Sequence, residues 1–255
     1  IEDFGEATFT PLLHGGAAPA PLYARAVDAL AAPHGRAEPR AAPVPSYDRD
    51  RLLAEAALLP GWYLPAVTGR ATSAEARAAW DAAWAAVLDA LPPPAETLVL
   101  RDYHVDNIML LEGREGVAAC GLLDFQDAVV GPAAYDLVSL LEDARRDVPE
   151  ALAEAMLARY AAARPETAGE AFRRWYRVLG VQRHAKVAGI FVRLLVRDGK
   201  PRYLGHIPRV MRLLTRGLDH PDLAPVARWF DRHLPEPEAP LPALEPERLR
   251  PLSDG

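Results

Sequence analysis

The chain has 255 residues, half of them hydrophobic and a quarter charged, with a formal net charge of −6; that length suffices for one sizeable core, or a large lobe and a small one. The acidic balance lacks the basic excess expected of a polyanion binder, so no nucleic-acid partner is expected. No apolar run reaches about 18 residues, so no helical membrane span is expected. The acidic start Ile1-Glu2-Asp3-Phe4-Gly5 is unlike a signal peptide, and the expected location is cytoplasmic. Cys120, the single cysteine, excludes an intramolecular disulfide and reads as a small buried hydrophobe.

Residues 1–20 read as an extended approach, then a flexible loop through His14-Gly15-Gly16-Ala17-Ala18-Pro19. A helix is predicted over 21–32, with Pro21 in its first turn and Leu22, Ala26, Ala29 and Leu30 on one face. Prolines without periodicity make 33–46 a loop. Ser46 and Asp48 are candidate N-caps of a short helix reaching Leu58, broken by Pro60-Gly61. Trp62, Tyr63 and Leu64 form an aromatic patch assigned to packing. Ser73 opens a helix to about Leu91, whose Trp80, Trp84 and Leu88 make one apolar stripe before Pro92-Pro93-Pro94 ends it. Thr97-Leu98-Val99-Leu100 is a short strand.

Strands over 108–111 and 117–123, joined by a turn over 112–116, form an antiparallel hairpin. Beyond it the chain reads as helical over 132–143, 149–163, 168–196, 207–218 and 223–234. Gly180 and Gly189 are candidate interruptions of the long segment, and Asp198-Gly199-Lys200-Pro201 is a turn. From Pro235 on, prolines and alternating charges read as a poorly ordered tail or a surface strap.

The chemistry concentrates in Leu100-Arg101-Asp102-Tyr103-His104-Val105-Asp106-Asn107 and in Leu123-Asp124-Phe125. A hairpin returns the chain beside its start. Asn107, just before the outgoing strand, and Asp124, just after the returning one, therefore come side by side, with Asp102 in the tight loop leading in. Three hard oxygen donors at one end of a small sheet suit Mg²⁺ and a phosphate substrate. Each alone is an ordinary turn residue; the joint spacing points to function. His104-Val105-Asp106 lacks further ligands at zinc-site spacing, so zinc is not expected. His14, His34, His206, His220 and His233 are scattered and receive no role.

At these residues the chain resembles the aminoglycoside phosphotransferase and protein-kinase-like superfamily. That family's catalytic loop carries an Asp, four intervening residues and an Asn, followed by a hairpin and a metal-binding Asp. The resemblance implies a mainly α, α+β fold: a protein-kinase-like C-terminal lobe with a small antiparallel hairpin. It implies ATP and Mg²⁺ as cofactors, with Asp102 as catalytic base and Asn107 and Asp124 as metal ligands. Asp136 would brace the catalytic loop, besides favouring a helix N-terminus, and Arg101 pairs with Asp102 as in the kinase Arg-Asp pair. The family's His two residues before the base is here Leu100, which bears on loop packing more than on chemistry.

Further motifs narrow the resemblance: Gly121-Leu122-Leu123-Asp124-Phe125-Gln126-Asp127-Ala128, Gly131-Pro132, Tyr135-Asp136-Leu137-Val138-Ser139-Leu140 and Gln182-Arg183-His184-Ala185-Lys186-Val187. Gly189-Ile190-Phe191, Arg197-Asp198-Gly199-Lys200 and Tyr203-Leu204 continue it. They resemble the bacterial anomeric kinases of N-acetylmuramate and N-acetylglucosamine in peptidoglycan recycling, over residues 1–218. That implies phosphorylation of a C1 hydroxyl and a group to meet the lactyl carboxylate of N-acetylmuramate. Arg183, His184 and Lys186 are the candidates, against a solvated basic stripe or helix ion pairs as the alternative. Asp127 either contacts metal or sugar hydroxyls or caps the next segment. Two alternatives stay open: a kinase for an aminoglycoside, choline or amino alcohol, and a noncatalytic sugar- or nucleotide-binding module.

A kinase-like site also needs a Gly-rich turn over the phosphates and a Lys paired with a Glu. No G-x-G-x-x-G pattern precedes Asp102, and no Lys precedes Lys186. The resemblance makes residues 1–5 the inter-lobe hinge, with Glu2 and Phe4 meeting adenine through their backbone, and implies an N-terminal kinase lobe upstream. The expected division is a hinge and leading segment over 1–20, a helical C-lobe over 21–234 with its catalytic hairpin at 97–128, and a Pro-rich tail over 235–255. The chain alone is expected to be insufficient for activity.

Overall fold

The structure is a computed structural model and describes residues 7–36 and 43–253; the expected hinge residues Glu2 and Phe4 lie outside them. In chain order it runs α1 (Phe9–His14), α2 (Pro19–Arg36), α3 (Arg49–Ala56), α4 (Leu64–Thr68) and α5 (Ala74–Asp89). Then come β1 (Glu96–Val99), β2 (Ile108–Leu110), β3 (Cys120–Leu122), β4 (Val129–Pro132), α6 (Ala134–Leu141) and α7 (Glu150–Ala163). α8 (Glu170–Asp198), α9 (Ile207–Leu218), α10 (Ala224–His233) and α11 (Pro246–Leu249) complete it. The fold is thus mainly helical with two small antiparallel sheets. Among the described residues no helix is long and apolar enough to cross a membrane. The chain divides into two compact units: Ile1–Tyr47, Pro93–Asp143 and Val148–Tyr176 form unit 1, and Asp48–Pro92, Ala144–Asp147 and Arg177–Gly255 form unit 2.

In unit 1, β1 pairs with β4 from Glu96↔Pro132 to Val99↔Val129, and β2 with β3 from Ile108↔Leu122 to Leu110↔Cys120. β4 was not expected; Pro132 read as a helix start. It stands instead at the strand's end, where a missing N–H removes no ladder bond the strand needs, and α6 begins two residues later. The returning hairpin strand is shorter than 117–123, because Gly116–Ala119 winds as a 3₁₀ turn first. The approach to the fold is helical at α1 rather than extended. α2 starts before Pro21 and continues past Pro33, where 33–46 read as loop. Its face of Tyr23, Val27, Leu30 and His34 is buried, and that burial outweighs the hydrogen bond the proline forfeits. All eight residues of α6 are buried.

In unit 2 the caps follow the sequence. Asp48 accepts from the Arg51 N–H at 2.9 Å, and Ser73 from the Ala76 N–H at 3.1 Å. Pro60-Gly61 does not break the chain: a wide π-type turn over Leu59–Tyr63 absorbs the missing proline donor and leads into α4, with Trp62, Tyr63 and Leu64 buried. The stripe of α5 packs on α10. Trp80 and Trp229 lie edge to face at 4.5 Å, and Trp229 Nε1 donates to the Ala76 carbonyl at 2.8 Å. Truncating Trp80, fully buried, is expected to destabilise this unit by about 3–5 kcal/mol. α8 runs uninterrupted through Gly180 and Gly189. Gly189 is there because a Cβ would collide with the Leu58 backbone, so the glycine serves close packing and not a break. The proline-rich end carries α11, whose Leu249 is buried, and the Arg250 guanidinium donates to the Val196 carbonyl at 3.4 Å. It behaves as a strap.

Candidate active site

β1 and β4 close the segment that carries the candidate acids. Val99 opposes Val129, so residues 100–128 leave and return to one two-strand clamp. Both valines are buried, which pins the register, since a one-residue slip would turn them outward.

The loop leaving β1 is tied to itself. The Asp102 N–H donates to the Leu100 carbonyl at 2.9 Å, His104 to Asp102 at 3.1 Å and Asn107 to His104 at 2.8 Å. The Asn107 side-chain N–H donates to the Asp102 carbonyl at 2.9 Å, which leaves the amide oxygen as its acceptor. The hairpin does what its spacing requires: the Leu123 N–H donates to the Asn107 carbonyl at 3.0 Å, so Asp124 is the next residue past Asn107's cross-strand partner. Asp102, Asp124 and Asp127 are exposed and Asn107 half-buried. Asp127 sits in the turn closed by the Ala128 N–H and the Phe125 carbonyl at 3.1 Å. Gln126 donates to Asp124 Oδ1.

Asp136 stands behind this loop. It is fully buried, and its carboxylate accepts from the Leu100 N–H at 2.7 Å and the Arg101 N–H at 2.8 Å. Two amide donors replace the water lost on burial and fix the peptides just before Asp102. Arg101 (φ 72°) and Asp124 (φ 57°) are the only non-glycine residues at positive φ among those described. Such backbone costs about 1–2 kcal/mol for a residue with a Cβ and persists only where its surroundings impose it. At Arg101 the Asp136 grip does so, and its guanidinium lies over the Tyr47 ring at 5.8 Å.

Other elements fasten the same loop. Thr10 Oγ1 of α1 donates to Asp106 Oδ1, and Thr8 bridges Met109 of β2. Tyr103 Oη donates to the Ala26 carbonyl of α2 at 2.7 Å; burial pushes this phenol well above its ordinary range, so it stays a donor. Cys120 in β3 is pushed up to about 11, chiefly by burial, which makes it an inert thiol at neutral pH. Thr10, Tyr47 and Gln126 carry no spacing that marks them. Thr10 and Tyr47 reach the loop from sequence-distant elements, and only co-variation would have found them.

Asn107 and Asp124 offer oxygen donors without sulfur or imidazole, which fits Mg²⁺, an ion usually held by one or two carboxylates together with substrate phosphates. Among the described residues no three His, Cys, Asp or Glu gather as a metal-holding group.

Arg183, His184 and Lys186 belong to unit 2. They are buried, which corrects the reading of a solvated stripe. Lys186 Nζ lies 2.9 Å from Glu55 Oε2 of α3, and Gln182 Nε2 donates to the Leu52 carbonyl at 3.0 Å. A substrate carboxylate at Lys186 would have to compete with Glu55.

Residues 7–176 match the phosphotransferase enzyme family. The N-acetylmuramate/N-acetylglucosamine kinase of Caulobacter vibrioides is 39% identical over 242 residues, covering 92% of this chain and 66% of that protein. The protein of the same name from Neisseria meningitidis serogroup B is 42% identical over 190 residues, covering 72% of this chain and 55% of its own length. That from Pseudomonas putida is 38% identical over 231 residues, covering 88% and 66%. The chain therefore spans just under two thirds of these relatives' length, or less. Among solved structures, the gentamicin complex of APH(2")-IIa shares the fold with a TM-score of 0.53 at 16% identity, over 84% of this chain and 71% of that one. With the family match spanning most of its length, the chain belongs to the phosphotransferase enzyme family.

Proposed function

We propose that Asp102, Asn107 and Asp124 form the base-and-metal part of a small-molecule kinase site that uses ATP and Mg²⁺. Its substrate is the anomeric C1 hydroxyl of N-acetylmuramate or N-acetylglucosamine. What supports this reading is the backbone arrangement: Asn107 is tied to the Asp102 carbonyl, and Asp124 follows Asn107's cross-strand neighbour on the same clamped loop pair. Relatives 38–42% identical and named for those two sugars support the substrate. A sugar hydroxyl is a weak nucleophile until a base takes its proton in line with the phosphoryl group, and Asp102, exposed on a loop that its own backbone bonds stiffen, has that role. Asn107 and Asp124 hold the cation. Bound Mg²⁺ supplies neutralisation of charge on the phosphates. Asp136 and Arg101 orient the loop, and Asp127, exposed on its turn, offers a carboxylate to sugar hydroxyls.

The test is ATP consumption by the complete gene product against N-acetylmuramate, N-acetylglucosamine, an aminoglycoside and choline. Turnover with the two amino sugars alone is expected, and Asp102→Asn should abolish it. Turnover with choline or the aminoglycoside and none with the amino sugars would overturn the reading.

A further inference from the structure

We propose that His34 is a positioning residue for the phosphoryl-transfer loop, the centre of a buried row, Tyr160–His34–Asp136, that holds the peptides preceding Asp102. The inference rests on the reading of Asp102 as the base. Three elements of unit 1 meet here. His34, 3% exposed, closes the buried face of α2, and its Nδ1 lies 2.7 Å from Tyr160 Oη of α7, with the two rings edge to face at 86°. Its Nε2 faces Asp136 Oδ2 of α6 at 3.9 Å. That oxygen is the one accepting the Leu100 N–H, while Oδ1 takes the Arg101 N–H.

At 3.9 Å the imidazole does not hydrogen-bond to the carboxylate. It acts on Oδ2 as a wall and a dipole, which keeps water from this side of the carboxylate that holds the two loop amides. Burial, aided by the nearby Arg164 guanidinium, lowers the His34 pKa to about 3, so the ring is neutral and carries one N–H. With Nδ1 accepting from the Tyr160 hydroxyl, the proton belongs on Nε2, on the side of Asp136 Oδ2, and the ring N–H is also drawn to the Leu98 carbonyl of β1. Burial also raises the Tyr160 phenol, which keeps it a donor. Leucine would fill this position on an apolar helix face without burying an imidazole, so packing alone does not account for it. The row ends on the two backbone amides that set where Asp102 stands.

The test compares His34→Leu with His34→Gln in the complete gene product. Glutamine can still accept from Tyr160 and turn an N–H toward Asp136. In His34→Leu, exchange of the Leu100 and Arg101 amides is expected to rise roughly tenfold relative to that of Leu111, whose N–H is bonded to Ala119 on the hairpin. The kcat should fall roughly tenfold, with KM for sugar and ATP within about twofold of wild type, because the base is misplaced while binding is kept. His34→Gln should restore both. Wild-type exchange at Leu100 and Arg101, an equal rise at Leu111, an unchanged kcat, or a Gln variant no better than Leu would each overturn the inference. If the wild-type protein transfers no phosphoryl group at all, the proposed function falls, and the exchange arm alone still decides whether His34 positions the loop.

Discussion

Asp102, Asp124 and Asp127 stand exposed on loops, on a backbone forced into the left-handed region at Arg101 and Asp124. Arg183, His184 and Lys186 are buried in the middle of a regular 29-residue helix, with Lys186 ion-paired to Glu55. In sequence both are short runs of charge flanked by apolar residues. The physical difference is where their partners lie. The loop acids have their backbone gripped by Asp136 and the β1–β4 clamp, which leaves the carboxylates of Asp102 and Asp127 at the surface. On the helix, Lys186 already has its counter-charge in the chain. A charged side chain held in place and left facing solvent is poised for a ligand, whereas one neutralised internally stabilises the fold.

Substitutions that separate activity from stability test that contrast most strongly. Asp102→Asn should lower kcat by about 10²-fold or more and leave the thermal midpoint unchanged, as read by steady-state kinetics beside calorimetry. Loss of stability together with activity would make Asp102 a structural residue. Lys186→Met should do the reverse. Removing one partner of a nearly buried pair takes a counter-charge from Glu55 and is expected to lower stability by about 3 kcal/mol in urea unfolding. The ratio of KM for N-acetylmuramate to that for N-acetylglucosamine should stay at its wild-type value. A selective rise in the N-acetylmuramate KM would show that Lys186 meets the lactyl carboxylate.

How far the sequence carried depended on the range of the interaction. Spacing anticipated that Asn107 and Asp124 end up at neighbouring positions of the hairpin, because a hairpin of known length fixes which residues face each other. Local capping located Asp48 and Ser73, since each bonds three residues away. Burial of Arg183, His184 and Lys186 escaped it: a polar residue on a long helix gives no sign that α3 will cover it, and Glu55 is more than a hundred positions away. β4 escaped for a related reason, since Pro132 is as acceptable at the end of a strand as at the start of a helix. Only pairing with β1, more than thirty residues earlier, decides. His34 escaped as well: Pro33 placed it in a loop, and only the fold carries α2 past that proline and sets the imidazole beside Tyr160 and Asp136.

Two smaller effects are expected at His34 and Asp124. His34 has its folded pKa held near 3, below the unfolded value of about 6.5, so its contribution is complete above pH 6.5 and is lost as pH falls toward 3. The wild-type protein should lose up to about 2 kcal/mol more stability between pH 6.5 and pH 5 than His34→Gln, seen as a larger shift of the urea midpoint. Equal shifts would mean that the imidazole titrates freely. Asp124→Gly removes the Cβ from a left-handed position and should raise stability by up to about 1 kcal/mol while phosphoryl transfer is lost. A destabilised Gly variant would show that the Asp124 carboxylate supports the fold through its contact with Gln126.

We propose above that this loop pair directs a phosphoryl group to the anomeric oxygen of an amino sugar. The direct measurement is the phosphorus NMR spectrum of the product that the complete gene product makes from ATP, Mg²⁺ and N-acetylmuramate. The expected product is a phosphomonoester split by the single anomeric proton and absent when Asp102 is replaced by Asn. A phosphorus signal coupled to the two C6 protons, or no sugar phosphate at all, would contradict it.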